Sequence, residues 1–156
     1  MQLDRYDLKI LQLLQQDASQ SNQEIADKIG LTPAPCSRRI KQLHEAGLIE
    51  RQLCLLNARQ LGFNLQAMVH IIMDKHIPER FTIFEQSIAE IAEVTECYLI
   101  TGHDADYQLK VVTKDMDHYH DVLLGKITRI PGVTGVKSSF IMRTIVNSHA
   151  LPLVGL

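Results

Sequence analysis

The connection Gly-Leu-Thr at residues 30–32 most restricts the fold, because it leaves almost no chain between two predicted helices. Before it, Ser21 and Glu24 have the spacing of a capping box, in which each side chain accepts a hydrogen bond from the other residue's backbone amide. After it, Thr32 is a suitable N-cap for a helix that runs to about Ala46. Two helices joined by a tight turn that contains glycine are typical of a helix-turn-helix.

Another helix is predicted before this pair, and a short strand after it. The segment LDRYDLKILQLLQQDA (3–18) has apolar residues at helical spacing, with Asp4 as a plausible N-cap and Asp7 in the first turn. Gly47 ends the third helix. The following LIERQLCLLN (48–57) predicts a short β segment or hairpin edge, as in winged variants of the motif.

The third helix starts with two prolines, Pro33 and Pro35. With Thr32 as N-cap, these prolines occupy positions N1 and N3, whose amides lack intrahelical partners in any helix. No helical hydrogen bond is lost. The fixed φ angles also stiffen the helix start, which is the part that helix-turn-helix proteins present to DNA bases.

The exposed face of the third helix is predicted to combine small residues with cations. At about 100° per residue, Cys36 and Leu43 face the core, while Arg38 and Lys41 point away from it. Cations on a helix most often form a solvated surface, but the capped helix and tight turn before them favour entry into a major groove about 12 Å wide. Arg39 lies on the flank, which also suits an ion pair with a neighbouring helix. The predicted DNA-contacting residues are Ser21, Thr32, Ala34, Ser37, Arg38, Arg39, Lys41 and Gln42.

Beyond Gly62 the pattern predicts six elements in the order β-α-β-β-α-β, which is the ferredoxin-like arrangement. The predicted strands are 65–74, 94–102, 107–113 and a last strand that follows PGV (131–133) and ends near Thr144. The predicted helices are 78–91 and 115–130, and their inward residues are Phe81, Phe84, Ile88 and Ile91 in the first and Met116, Tyr119, Leu123 and Ile127 in the second. Right-handed crossovers place both helices on one face of a four-stranded sheet.

The opposite face of that sheet has no predicted cover, although Met68 and Ile72 make it partly apolar. A second copy of the sheet would supply the cover, so a homodimer is predicted. The fold class is α+β, with an N-terminal winged-type helix-turn-helix domain in residues 1–60 joined to a C-terminal ferredoxin-like domain in residues 61–156.

Composition excludes several classes of protein. The net charge is −2, and residues 1–60 hold eight Lys and Arg against seven Asp and Glu, so any basic surface is local. No window approaches the roughly 18 apolar residues of a membrane span, and the polar N-terminus does not resemble a signal peptide. A cytoplasmic protein that does not contact a membrane is therefore predicted. The cysteines, Cys36, Cys54 and Cys97, lack metal-site spacing and are expected to be reduced residues of the core or its boundary.

Four segments in this order resemble the Lrp/AsnC feast/famine transcriptional regulators, and the resemblance spans nearly the whole chain. They are LDRYDLKIL (3–11), LTPAPCSRRIKQLHEAGLI (31–49), GHDADYQLKV (102–111) and IPGVTGV (130–136). The resemblance implies a C-terminal ligand-binding domain often called RAM, dimers that commonly assemble to octamers, and a free amino acid as effector. The implied partners are thus double-stranded DNA, a free amino acid and further copies of the chain, with no cofactor.

The resemblance also implies where the effector binds. Carried over onto this chain, the ligand residues are Thr101, Gly102, His103, Asp104, Ala105, Asp106, Tyr107, Thr134, Gly135 and Val136. Asp104 or Asp106 can accept from the ammonium group of an amino acid, and backbone amides near Gly102 and Gly135 can bind its carboxylate. His103 can alter which effector is preferred, or make its binding depend on pH.

The chain departs from the family pattern at positions that bear on DNA recognition. Ser19 stands where the family often has Arg, and Ser37 and Arg38 stand where it often has Leu and Glu. These differences leave the fold expectation unchanged and leave the operator sequence open.

Three features of the sequence bear on rival interpretations. His118, His120 and nearby carboxylates in DMDHYHD invite a metal site, but His118 shares a helix face with Asp121 whereas His120 points elsewhere, so no metal site is predicted. An enzyme on this scaffold would need a catalytic motif, and neither a nucleophile elbow, a zinc-protease motif nor a P-loop is present, so no catalytic residue is predicted. The third alternative is a DNA-binding architectural regulator of the same fold that has no small-molecule effector.

Overall fold

The computed structural model describes residues 2–102 and 104–153. The chain divides into two compact units, one formed by residues 2–55 together with 146–153 and the other by residues 56–145. The last described residues are thus counted with the first unit, although the sequence pattern assigns them to the second domain. The domain limits 1–60 and 61–156 remain a prediction.

The first unit contains three helices, α1 (Arg5–Gln16), α2 (Asn22–Ile29) and α3 (Pro33–Glu45). Both predicted N-caps of the first two helices are present as complete capping boxes, Asp4 with Asp7 and Ser21 with Glu24. Gly30 ends α2 in the left-handed conformation, with φ +74°, which glycine adopts without steric penalty. The predicted helix-turn-helix is therefore confirmed.

The start of α3 follows the predicted arrangement of the two prolines. Thr32 is the N-cap, although its side chain makes no capping hydrogen bond. The amide of Cys36 donates to the carbonyl of Thr32 at 3.3 Å, so the helical ladder begins after both prolines. The buried residues of this unit that form its core are Ile10, Ile25, Ala26, Ile29, Cys36 and Leu43.

The strand predicted for residues 48–57 is absent: residues 50–57 contain no strand or bridge. Leu53, Leu55 and Leu56 are 68–72% exposed. A β-prone segment becomes a strand only when another strand pairs with its backbone, and no described residue of this chain pairs in this way with residues 50–57.

The prediction that the cysteines lie in the core or at its boundary is confirmed for the buried Cys36. It is wrong for Cys54 and Cys97, which are exposed.

The second unit is the predicted ferredoxin-like arrangement. The elements are β1 (Leu65–Met73), α4 (Pro78–Ala89), β2 (Val94–Leu99), β3 (Tyr107–Thr113), α5 (Met116–Gly125), a 3₁₀ turn (Ile127–Arg129) and β4 (Val133–Phe140). The sheet has the order β2-β3-β1-β4, and every neighbouring pair is antiparallel. β4 ends at Phe140 and not near Thr144, because its partner β1 starts at Leu65 and the last bond is from the Ile141 amide to the Gln66 carbonyl, 2.9 Å.

Both helices pack on one face of this sheet. Alternate residues of β1 and β3 are buried, and Phe84 and Ile88 of α4 and Tyr119 and Val122 of α5 cover them. The prediction that Met116 points inward is wrong, since it is 50% exposed. The buried stripe of α5 is centred between Tyr119 and Val122, so Met116 at the start of the helix points sideways and not toward the sheet.

An ion-pair cluster joins both ends of α5 to the loop between α4 and β2. The carboxylate of Glu93 accepts from Lys126 Nζ at 2.9 and 3.0 Å and lies 3.1 Å from His118 Nε2. Partial burial alone would raise the pKa of Glu93. The hydrogen bonds from Lys126, the backbone and His118 outweigh it and lower the pKa to about 2.

Glu93→Gln is expected to lower the free energy of unfolding at pH 7 by roughly 3 kcal/mol, because each unit of the difference between the pKa values of 4.5 and about 2 corresponds to about 1.4 kcal/mol and solvent screens part of the interaction. The folded-state pKa is depressed, so the wild-type advantage is complete above the unfolded pKa of about 4.5 and is lost as the pH falls toward about 2. Urea unfolding of both proteins across this range measures the difference, with the exposed Glu90→Gln as control. A difference that does not shrink with falling pH would contradict this role of Glu93.

Candidate functional site

The outward face of α3 carries five of the predicted DNA-contacting residues, all exposed: Ala34, Ser37, Arg38, Lys41 and Gln42. Lys41 pairs only loosely with Glu45, at 3.7 Å with side chains 76% and 63% exposed. Such a surface pair contributes little to stability, so the Lys41 ammonium group is available to another anion. The face combines two cations with small side chains around the helix start.

The remaining predicted contacts have other partners within the first unit or lie at helix starts. Ser21 is exposed, but its hydroxyl donates to the Glu24 carboxylate at 2.8 Å and accepts from the Glu24 amide at 3.3 Å. Thr32 is exposed at the start of α3, where Pro33 and Pro35 carry no amide hydrogen and Ala34 alone of the first three helical residues has one to donate.

Arg39 does not belong to the exposed face of α3. Its Nη1 lies 2.9 Å from Asp4 Oδ2 and 2.8 Å from Asp7 Oδ1, both at the start of α1. Hydrogen bonds from the Asp7 and Tyr6 amides and the pairing with Arg39 lower the pKa of Asp4. Arg39 thus forms an ion pair with a neighbouring helix, the alternative role that its flank position suggests.

A second group of predicted residues lies where β1 ends, in the loop between β2 and β3. Thr101 and Gly102 are exposed, and Gly102 has φ +78°. Asp104 is also exposed and pairs with Lys137 of β4. His103 lies outside the described residues. This loop therefore presents a carboxylate and a glycine at the end of the sheet.

Both the side chain and the backbone of Asp106 form hydrogen bonds with neighbouring residues. Its Oδ2 accepts from the Met73 amide at 2.7 Å, and its Oδ1 lies 2.6 Å from His76 Nε2. Its backbone amide donates to the Ile71 carbonyl at 2.8 Å, and its carbonyl accepts from Ile100 at 2.9 Å. Of the two carboxylates considered for an ammonium group, Asp104 is thus the one that faces solvent.

Tyr107 is a core residue, 1% exposed. Its ring packs on Phe84 at 4.4 Å between centroids, and its hydroxyl donates to Glu85 at 2.8 Å. Burial raises the pKa of the Tyr107 hydroxyl, and the hydrogen bond to Glu85 raises it further. Tyr107 and the buried Ala105 therefore hold the loop in place and do not line its surface.

The residues Thr134–Val136 lie within β4 and do not form a turn before it. Ile72 pairs with Gly135 and Met73 with Val133, so Thr134 is the extra residue of a β-bulge. The Thr134 hydroxyl donates to the Ile72 carbonyl at 3.1 Å. Val136 packs against the core and faces away from Thr134 and Gly135.

Gly135 leaves room for the side chain of Ile72, its partner on the neighbouring strand β1. A Cβ at this position would lie 2.9 Å from Ile72 Cδ1, closer than van der Waals contact permits. The Asp104–Lys137 pair and the pairing of β1 with β4 bring the predicted loop and the bulge to the same end of the sheet. Sequence reasoning missed Lys137, although its position two residues after Gly135 places both on one face of the strand. It also missed His76, for which the sequence carries no signal.

The rival metal site finds no support in the part of the chain that the structure describes. No cluster of three or more His, Cys, Asp or Glu side chains suited to a metal ion occurs there. His118 pairs instead with Glu93, which lies 25 residues away in sequence. None of the described helices has the length and apolar character needed to cross a membrane.

Comparisons with known proteins cover nearly the whole chain. Residues 3–50 match the winged helix-turn-helix DNA-binding family, and residues 66–151 match the Lrp/AsnC ligand binding domain. The Bkd operon transcriptional regulator of Pseudomonas aeruginosa is 36% identical over 97% of this chain and 99% of its own. The leucine-responsive regulatory protein of Escherichia coli is 35% identical over 96% and 90%.

Solved structures show the same likeness. A transcriptional regulator from Neisseria meningitidis, crystallised as a complex with L-Met, is 33% identical and superposes over 98% of both chains with a TM-score of 0.94. An AsnC family transcriptional regulator from Agrobacterium tumefaciens is 34% identical over 97% of both chains, with a TM-score of 0.90. As its helix-turn-helix, its ferredoxin-like unit and these relatives show, the chain belongs to the Lrp/AsnC family of DNA-binding transcriptional regulators, which are not enzymes.

Proposed function

We propose that α3 is the helix that this regulator inserts into the major groove, with Ala34, Ser37, Arg38, Lys41 and Gln42 facing the DNA. The observation that carries this proposal is the exposed face of small and cationic residues directly after the helix-turn-helix turn. Arg38 and Lys41 supply the charges for phosphate or base contact, and Thr32 lies where the helix start meets the phosphate backbone.

We further propose that DNA binding or assembly responds to a free amino acid bound at the end of the sheet, between the exposed loop residues Thr101, Gly102 and Asp104 and the residues Thr134 and Gly135 of β4. Asp104 accepts from the ammonium group, and backbone amides near Gly102 and Gly135 bind the carboxylate. Lys137 adds a cation beside these amides. The Asp104–Lys137 pair is more than half exposed at both side chains, so it is weak and is readily exchanged for contacts with a zwitterion.

Thermal unfolding measured with each standard amino acid is expected to show a saturable rise in midpoint with one or a few of them. A ligand at about 100 times its Kd stabilises the folded state by about 2.7 kcal/mol. Asp104→Asn should abolish the rise, whereas Asp117→Asn, an exposed carboxylate on α5, should retain it. A flat response to all amino acids would favour the alternative, an architectural regulator of the same fold without an effector.

We propose that the chain forms a homodimer through the open face of its sheet, and that dimers assemble further to octamers. The face contains Met68, Ile72 and Val112, all partly exposed. One charged pair on this face, Lys110 Nζ with Glu96 at 3.0 Å, bridges two strands, which lowers the cost of covering both groups. In this arrangement residues 1–60 bind DNA, and residues 61–156 bind the effector and mediate assembly. Because the relatives named above are bacterial, we propose a cytoplasmic location, where bacterial DNA lies.

A further inference from the structure

We propose that Arg39 is a positioning residue, which locks the reading helix α3 to the capped start of α1 and does not itself contact DNA. The proposal rests on the proposed role of α3 in reading DNA. It adds a residue whose effect on DNA binding is transmitted through the orientation of the helix.

Arg39 crosses between two helices that are far apart in sequence. Its guanidinium reaches Asp4 and Asp7, which lie 35 and 32 positions earlier, at 2.9 and 2.8 Å. The side chain of Arg39 is 27% exposed and that of Asp7 only 5%. A carboxylate as buried as Asp7 requires a partner, and Arg39 is the cation beside it.

Hydrogen bonds at the start of α1 also hold the two carboxylates in place. Asp4 Oδ1 accepts from the amides of Tyr6 and Asp7 at 2.8 and 3.0 Å, and Asp7 Oδ2 accepts from the Asp4 amide at 3.0 Å. Each carboxylate therefore uses one oxygen for the helix cap and offers the other to Arg39. The guanidinium also lies over the Tyr6 ring, 5.5 Å from its centroid, which adds a cation–π contact.

This attachment fixes the rotation of α3 about its own axis. Arg39 directly follows Arg38 in a helix, so their side chains point about 100° apart. While Arg39 is bound to the rigid start of α1, Arg38 and Lys41 must face outward on the DNA side. Without that bond, α3 can turn or tilt, and a small change of angle displaces long side chains from the base edges and phosphates they contact.

The test uses the full-length protein and a labelled DNA duplex that the wild type has selected from a random-sequence pool. Arg39→Gln is expected to weaken binding about tenfold or more without changing the slope of log affinity against log salt, since no phosphate contact is lost. Asp7→Asn, which removes a buried anion, is expected to produce a similar loss. The double variant should lose little more than either single variant, because both substitutions break the same interaction.

Arg38→Gln is the matched control on the adjacent residue, and it should lower the salt slope by about one. Thermal unfolding first establishes that every variant is folded at the assay temperature. A slope change in Arg39→Gln equal to that of Arg38→Gln would overturn the positioning role, as would unchanged DNA affinity in folded Asp7→Asn. If Arg38→Gln itself binds like the wild type, the proposed reading helix fails. If only Arg39→Gln binds like the wild type, the positioning inference fails alone.

Discussion

Replacing Arg38 and Lys41 together with alanine is expected to weaken binding to the selected duplex by about 30- to 1000-fold. The estimate follows from a loss of about 1–2 kcal/mol for each contact, where about 1.4 kcal/mol corresponds to tenfold. Both side chains are exposed on the outward face of α3, so their removal leaves the helical core intact. The loss should therefore appear in DNA affinity and not in the free energy of unfolding.

Fluorescence anisotropy at several salt concentrations measures both the affinity and the number of phosphate contacts. The salt slope of the double variant should fall by about two if both cations meet phosphates. The matched control is Lys75→Ala with Lys114→Ala, which removes the same charge from exposed positions of the second unit. An equal loss in this control would attribute the effect to net charge and would contradict the proposed reading helix.

Met68→Lys is expected to dissociate the proposed dimer, with an association constant at least about 100-fold lower. Met68 lies in the central strand β1, on the open face of the sheet and directly opposite Lys110 of β3. A lysine there faces a like charge across the strands, and a twofold interface would bury the new charge twice. In the separate chain the position is partly exposed, so the variant is expected to fold.

Sedimentation equilibrium over a range of protein concentrations distinguishes the two states. Met68→Leu keeps the apolar area and should remain associated like the wild type, which makes it the matched control. A Met68→Lys protein that remains as dimeric as the wild type would exclude the open face as the interface. A monomer that still binds the duplex, but more weakly, would be consistent with two linked half-sites.

Local chemistry made much of this molecule predictable. The capping boxes at Asp4 and Ser21, the turn at Gly30 and the prolines of α3 depend on residues within a few positions of one another. The β-α-β-β-α-β order also followed from apolar periodicity, which reports whether a segment has one buried face. These features need no knowledge of what the segment meets elsewhere in the chain.

The mistaken predictions concern features that depend on a distant neighbour. Residues 48–57 have strand-like composition, yet they lack a pairing strand within the chain. β4 stops at Phe140 because β1 has begun by Leu65, a limit set by register and not by local sequence. Met116 has helical spacing to Tyr119, but the angle at which α5 packs on the sheet leaves it exposed.

The candidate sites divide in the same way. By itself, the sequence determined which segments are candidates for the two proposed sites: the basic face of α3, the loop around Asp104 and the start of β4. Only the tertiary structure decided which partners each side chain has. In it, Arg39 pairs with Asp4 and Asp7. The Asp106 carboxylate contacts Met73 and His76, and Lys137 pairs with Asp104. Hydrogen bonds act over about 3 Å, and which residues come that close across 30 positions of sequence is set by the packing of helices and strands.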